Sequence, residues 1–388
     1  MRFRDQLRSF PPAAWVLFGG VFVNRFGTFV VPFLVVYLTR LGYSTAQAGL
    51  ALGAYGAGHI VASSLGGHLA DRIGRRSTIV VSMFGSAAGM LALSQARSFV
   101  PIIAMTFLAA SAGELYRPAS HALLGDLIAA ENRVVAFGVY RFAVNLGFAA
   151  GPAMAGFLAE KSFFYLFLGD ALTSLSYGFI ALFALPQGLR ASSKEERRGE
   201  ALRIAARDAP FLVFLAATLC FGLVEMQTLS TFALHVTAVV HSTRVYGILL
   251  SLNGVLIILF ELAITNLTQR LPPRPVIALG YFLGGIGYAL TGLAHSIPAL
   301  AATVVIWTVG EMVSSPMAGA YVSRIAPEHV RGRYMGMLVT MWSIAMLIGP
   351  TAGTLLYQRN PNIVWWASGA LGVFSAALLL YTPPRPET

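Results

Sequence analysis

Apolar runs of about twenty residues follow one another along the whole chain, each long enough as a helix to cross a hydrocarbon layer about 30 Å thick. The pattern places twelve spans, at about 13–37, 46–68, 78–95, 100–123, 136–158, 163–185, 211–233, 246–267, 275–295, 298–320, 334–357 and 363–382. Polar gaps between them are short, with one exception. Residues 186–210, PQGLRASSKEERRGEALRIAARDAP, divide six spans from six. Their mixed charge predicts a short amphipathic helix at a membrane surface. The chain therefore reads as an all-α integral membrane protein: a six-helix bundle over 1–185, a linker over 186–210 and a second six-helix bundle over 211–388.

The bundles are pseudo-symmetric copies. A shift of 198 residues lays Pro316 on Pro118, Arg331 on Arg133, Gly336 on Gly138 and the pair Gly349-Pro350 on Gly151-Pro152. Parallel repeats of this kind build transporters whose halves rock about a site near mid-membrane. Twelve apolar helices alone are far less selective than the duplication.

Composition supports the membrane reading. Of 388 residues, 56% are hydrophobic and 11% charged, against about 25% charged in soluble domains. The first run ends in no small-residue cleavage site and holds Asn24 and Arg25, so it is expected to be a retained helix. A single cysteine, Cys220, allows no internal disulfide, and no metal-ligand cluster is present. The net charge of +11 raises the question of nucleic acid, and its distribution answers it. Arg25, Arg117 and Arg141 lie within spans, and Arg40, Arg97, Lys161, Arg244 and Arg359 lie in loops of one face. The remaining nineteen of the 27 basic residues share the other face with both termini. Positive loops stay inside, so that face is cytoplasmic. The charge then serves topology and anionic-lipid contact, and no nucleic-acid partner is expected.

The gap between spans two and three reads GGHLADRIGRR, residues 66–76. Gly74 permits a tight reversal, and Asp71 stands where one helix ends and the next begins. Asp71 is expected to pair across the two bundles and latch an outward-open state; the plainer reading is a solvated basic loop that only sets topology. Gly67-His68-Leu69-Ala70-Asp71-Arg72-Ile73-Gly74-Arg75-Arg76 resembles the loop 2–3 signature of the major facilitator superfamily at every usual position. Span five carries Gly147-Phe148-Ala149-Ala150-Gly151-Pro152-Ala153-Met154-Ala155-Gly156, similar to the glycine-proline motif of the antiporter branch, with Ala155 replacing one glycine. Arg117-Pro118 and Gly310-Glu311 resemble positions of bacterial drug:proton antiporters. The arginine these often carry midway along span four has no counterpart in FLAASAGELY, residues 107–116. The resemblance implies twelve helices, alternating access, a bacterial inner-membrane location and a proton gradient as the only energy source, with no cofactor.

An ionisable side chain at bilayer depth costs roughly 2.5–3.5 kcal/mol on insertion scales, so those present call for a role. Arg25, Glu114, Glu225 and Glu311 lie near the middle of spans 1, 4, 7 and 10, the cavity-lining helices of the resembled fold. Glu311, Glu225, Glu114 and Asp170 are the expected proton carriers. Glu225, Gln227, Glu311, Tyr55, Tyr116, Trp307 and Asn253 are the expected cargo contacts. Glu114 and Arg117, three apart on one helix face, either neutralise each other or let Glu114 titrate and release the arginine. Arg25 is expected as a counter-ion for Glu114 or Asp170, Asp170 is expected to hold Arg25 or Arg141, and Arg141, near the cytoplasmic edge, snorkels or pairs at the loop 4–5 junction. Glu261 is placed on the cavity wall and His59 at a helix contact. Five acids against three arginines within the spans make the cavity attractive to cations.

The function expected is proton-coupled efflux of lipophilic cationic or neutral small molecules by a monomer. The alternative is a transporter of one defined solute, a sugar, peptide or lipid. Peptide symporters carry Glu-x-x-Glu-Arg in the first span, whereas Val21-Phe22-Val23-Asn24-Arg25 keeps only the arginine. No nucleophile–base or metal constellation suggests an enzyme, and paired halves with buried titratable acids disfavour a channel.

Overall fold

A computed structural model describes residues 3–188, 208–327 and 330–381. The expected amphipathic helix of the linker falls on 189–207, outside the described residues. After a short α1 (Phe3–Arg8), the first span is α2 (Pro12–Phe26) and α3 (Val30–Arg40). The second to sixth are α4 (Thr45–Ile73), α5 (Arg75–Gln95), α6 with α7 (Phe99–Gly113, Tyr116–Leu127), α8 (Arg133–Lys161) and α9 (Phe164–Ala184). The seventh is α10 with α11 (Ala209–Glu225, Thr231–Val240). There follow α12 (Thr243–Thr268), α13 (Pro273–Thr291), α14 (Ile297–Ile325), α15 (Arg331–Arg359) and α16 (Pro361–Tyr381). Ten of these crossings are long and apolar enough to span a membrane by themselves. The other two, α4 and α13, occupy the second and ninth positions and are diluted by glycine and polar residues, so the described helices agree with twelve.

Two compact units divide the chain: Met1–Leu34 with Ala54–Lys194, and Val35–Gly53 with Glu195–Thr388. The boundary differs from the expected one, because the stretch 35–53 groups with the second unit. Small residues explain it. Thr351 donates to the Gly49 carbonyl at 3.2 Å, and a Cβ on Gly53 would lie 2.7 Å from the Leu347 carbonyl oxygen.

Each unit repeats the other's packing. Helix α2 packs on α8 and α9, and α5 on α6 and α9; in the second unit α10 packs on α15 and α16, and α13 on α14 and α16. The spacing persists too, since α8 begins at Arg133 and α15 at Arg331, 198 residues later. The glycine-proline motif explains the closest of these contacts. A Cβ on Gly151 would press into the Phe26 carbonyl oxygen, and one on Gly147 would sit 2.7 Å from the Arg25 Cβ. In the second unit a Cβ on Gly349 would meet the Met226 Cβ at 2.8 Å. Pro152 and Pro350 lie inside α8 and α15, and Gly156 is buried.

The first span of each unit breaks at the same depth. In the first unit Asp170 on α9 accepts the Val30 N–H at 3.4 Å, at the start of α3. In the second, Met226–Leu229 form a 3₁₀ turn. The fourth span breaks where Pro118, which has no N–H, leaves the Glu114 carbonyl without its helical donor. Arg117 N–H takes that carbonyl instead, at 3.3 Å.

Candidate functional site

Two groups of intramembrane charges stand out, one in each unit. In the first, Glu114 sits at the break between α6 and α7 and is 6% exposed. Arg117 pairs with its Oε2 from the next turn. Arg25 reaches the same oxygen at 3.4 Å from α2, and the His59 Nε2 stands 3.8 Å away on α4. Tyr55 donates its hydroxyl to Oε1 at 3.2 Å. The Arg25 guanidinium also lies over the Tyr116 ring, 5.5 Å from its centroid, a cation–π geometry. Glu114 is thus clamped by two guanidiniums and a phenol. Of the two sequence readings, mutual neutralisation with Arg117 is the geometry formed.

Asp170 corrects an expectation. Its described partner is the backbone amide of Val30 rather than an arginine side chain. A helix start presents free N–H groups and the positive end of the helix dipole, which suit a carboxylate. A cavity of about 20 Å³, bordered by Arg25, Thr28, Tyr55, Glu114 and Asp170 among others, separates the two acids and has room for one water.

A larger cavity of about 530 Å³ opens in the same unit, with Arg25, Arg117 and Arg141 on its wall and no acidic side chain. Its other face is α8, which supplies Phe137, Tyr140, Val144, Asn145 and Phe148. Those residues were missed in the sequence, although Phe137, Tyr140, Val144 and Phe148 recur at three and four, the spacing of a single helix face. The acid surplus within the spans is therefore not spread evenly, and the first unit's cavity is cationic.

The second unit carries Glu225, at the end of α10, and Glu311, inside α14, within electrostatic reach of each other. Asn253 on α12 donates to Glu311 Oε2 at 2.9 Å and to Thr308 Oγ1 at 3.1 Å. Glu225 Oε1 is buried and has no hydrogen-bond partner among the described residues. Gly310 lets α14 approach α13 closely, since a Cβ there would lie 2.5 Å from the Gly280 carbonyl oxygen.

Three expected cargo contacts are occupied internally. Asn253 orients Glu311. Gln227 is 4% exposed; it donates to the Leu223 and Gly349 carbonyls at 2.8 and 3.2 Å. Its own oxygen accepts from Ser230 at 3.2 Å and Thr231 at 2.9 Å. It braces the break in the seventh span against α15. Trp307 is 1% exposed, stacked on Tyr288 at 5.3 Å and edge-on to Phe232 at 6.4 Å, so it belongs to the packed interior. Glu261 is half-buried on α12 between the exposed Phe260 and Leu262.

At the loop between α4 and α5, Gly74 adopts φ +96°, the left-handed conformation expected of it. Gln187 secures the reversal by donating to the Ile73 carbonyl at 2.9 Å and to Ser77 at 2.8 Å. The ion pair here is Arg75 with Asp126, at 2.9 Å. Asp71, expected to carry the latch pair, makes no ion pair among the described residues. Arg76 donates to the Leu185 carbonyl at 3.4 Å, and its copy Arg274 donates to the Leu379 carbonyl at 2.5 Å; both place a cation at a helix C-terminus. Arg72 is exposed and Gly67 has open space around it.

The profile of the Major Facilitator Superfamily matches residues 17–242 and 224–388. The MFS-type transporter YqjV of Bacillus subtilis (strain 168) is 29% identical over 356 residues, covering 88% of this chain and 85% of that protein. A Na(+), Li(+), K(+)/H(+) antiporter of Planococcus maritimus is 25% identical, covering 95% and 92%. Among solved structures, a mutant of the nucleoside transporter NupG superposes with a TM-score of 0.81 at 15% identity, covering 94% of this chain and 99% of that one, a likeness of fold alone.

Proposed function

The chain is a transporter that belongs to the Major Facilitator Superfamily, and from that premise we propose that it is a proton-coupled antiporter exporting lipophilic cationic or neutral molecules. The observation that carries this reading is the acid pair of the second unit. Glu225 has a buried oxygen without a partner among the described residues, and Asn253 holds Glu311 in place. Two carboxyls sharing a dry site disfavour double ionisation, so the pair holds a proton or a cation in exchange. That exclusivity is what antiport requires, because the pair returns loaded with one or the other. Glu114, clamped by Arg25 and Arg117, acts in this scheme as the structural anchor of span four.

The further parts of the reading follow from the sequence. The rigid bodies are 1–185 without the stretch 35–53, and 211–388 with it, joined by 186–210, in a monomer. The cytoplasmic membrane of a bacterium is the location, with both termini inside, and the proton gradient is the only energy source. The similarity to the cation/proton antiporter along 95% of the chain favours one second reading, in which an alkali cation is the exchanged ion at the same pair.

Reconstituted vesicles with an imposed pH gradient separate the possibilities. Uphill movement of a lipophilic cationic dye, lost in Glu311→Gln and in Glu225→Gln, is the expected result. Gradient-driven sodium or potassium movement without dye movement selects the alkali-cation reading. Indifference of every cation to the gradient, with rapid exchange of one sugar or peptide, overturns antiport.

A further inference from the structure

The cavity of the first unit has a chemistry of its own. Arg25, Arg117 and Arg141 stand on its wall, and no Asp or Glu joins them there. Glu114 contacts Arg25 and Arg117 from behind, so those two guanidiniums share a single carboxylate. An apolar wall of low dielectric concentrates such a field rather than screening it. The remaining surface is mostly aromatic: Phe137, Tyr140 and Phe148 line it from one face of α8, beside Val144 and Asn145. His121 lies edge-on to Tyr140 at 4.8 Å. Tyr116 also borders the cavity with its ring, under the Arg25 guanidinium, and is 1% exposed.

We propose that this cavity binds an aromatic carboxylate, with the acid group on the guanidiniums and the ring system against the α8 aromatics. Each component matches one part of the ligand. Guanidinium forks meet carboxylates with two parallel hydrogen bonds, and ring edges and faces take a flat apolar body. A volume of about 530 Å³ admits two or three fused rings. An aliphatic anion leaves the rings without a partner, and an aromatic cation meets three like charges. Identifying this ligand as cargo rests on the transporter reading above; its binding does not.

The test is equilibrium dialysis of the full-length protein in zwitterionic-lipid nanodiscs, without any gradient, using matched probes. Naphthalene-1-carboxylate is expected to bind. Naphthalene-1-methylammonium and cyclohexanecarboxylate are expected to bind at least about tenfold more weakly, a difference of one charge-assisted contact or one ring contact. Arg141→Gln, at an exposed position, should weaken the naphthoate about tenfold while Arg141→Lys retains most of the affinity, and Phe148→Ala should weaken it independently. Equal binding of the ammonium probe overturns the proposal, as does unchanged naphthoate affinity in both Arg141→Gln and Phe148→Ala. Naphthoate binding that persists in a protein inactive in the vesicle assay sinks the transport reading and leaves this site standing.

Discussion

Glu114 in the first unit and Glu311 in the second occupy almost the same place in the repeat and are treated in opposite ways. The copy of Glu114 is Met312, so Glu311 is one residue early, about 100° around its helix. Tyr55 and Asn253 are repeat copies of each other, and each donates to the acid of its own unit. The cations, however, were not duplicated: the copies of Arg25 and Arg117 are Leu223 and Ser315. One scaffold with one donor position therefore holds an acid clamped by two arginines in the first unit and an acid held by an amide beside a second acid in the other. The lesson is that equivalent positions of one fold can surround a buried carboxylate with quite different partners.

The largest effect that can break this contrast is on stability. Glu114→Gln leaves Arg25 and Arg117 without their buried partner and should cost about 3–5 kcal/mol, read as a lowered unfolding midpoint in detergent. Glu225→Gln removes a charge that has no cation beside it, and should leave the midpoint within about 1 kcal/mol or raise it. Equal destabilisation by the two substitutions would erase the distinction drawn between the units.

A smaller effect compares the packing motifs. Gly151→Ala drives a methyl into the rigid Phe26 carbonyl, whereas Gly349→Ala meets the flexible Met226 side chain. The first should cost about 1–3 kcal/mol, with the second clearly milder, as measured by the same unfolding midpoints. Reversal of that order would show that the second unit is the tighter one.

The smallest effect concerns the loop after α4. A double-mutant cycle of Arg75→Gln and Asp126→Asn should return a coupling of about 1 kcal/mol, because both side chains are largely shielded, 9% and 16% exposed, at the edge of the bundle. Asp71→Asn should leave that midpoint unchanged and slow transport without abolishing cargo binding, if Asp71 serves a state other than the one seen. Wild-type turnover in Asp71→Asn would reduce this residue to a topology signal.

Most of the architecture was legible in the chain. Span limits differ from the helices by a few residues, Gly74 takes the left-handed turn expected of it, and the 198-residue register reappears in helix starts and helix pairings. The site was legible only in part. Glu114, Arg117 and Arg25 were singled out as charges that need partners, and they found one another. The partners of Asp170 and Asn253 were not visible, because each lies far away in sequence, and those of Gln227 because the helix break that turns it onto its own neighbours and the Gly349 carbonyl carries no plain sequence signal. The α8 face that lines the cationic cavity went unread for a related reason: aromatic residues in a membrane helix look alike whether they face lipid or a cavity.

The sequence by itself determined the solvent, the number of crossings and the internal duplication. Long apolar runs, charge asymmetry and repeat spacing act locally and additively along the chain, and need no knowledge of neighbours. Only the tertiary structure decided which buried charges pair with one another and which are held by neutral groups. That outcome depends on rotations about helix axes and on approach distances of a few ångströms, over which electrostatic interactions in a dry interior change most steeply.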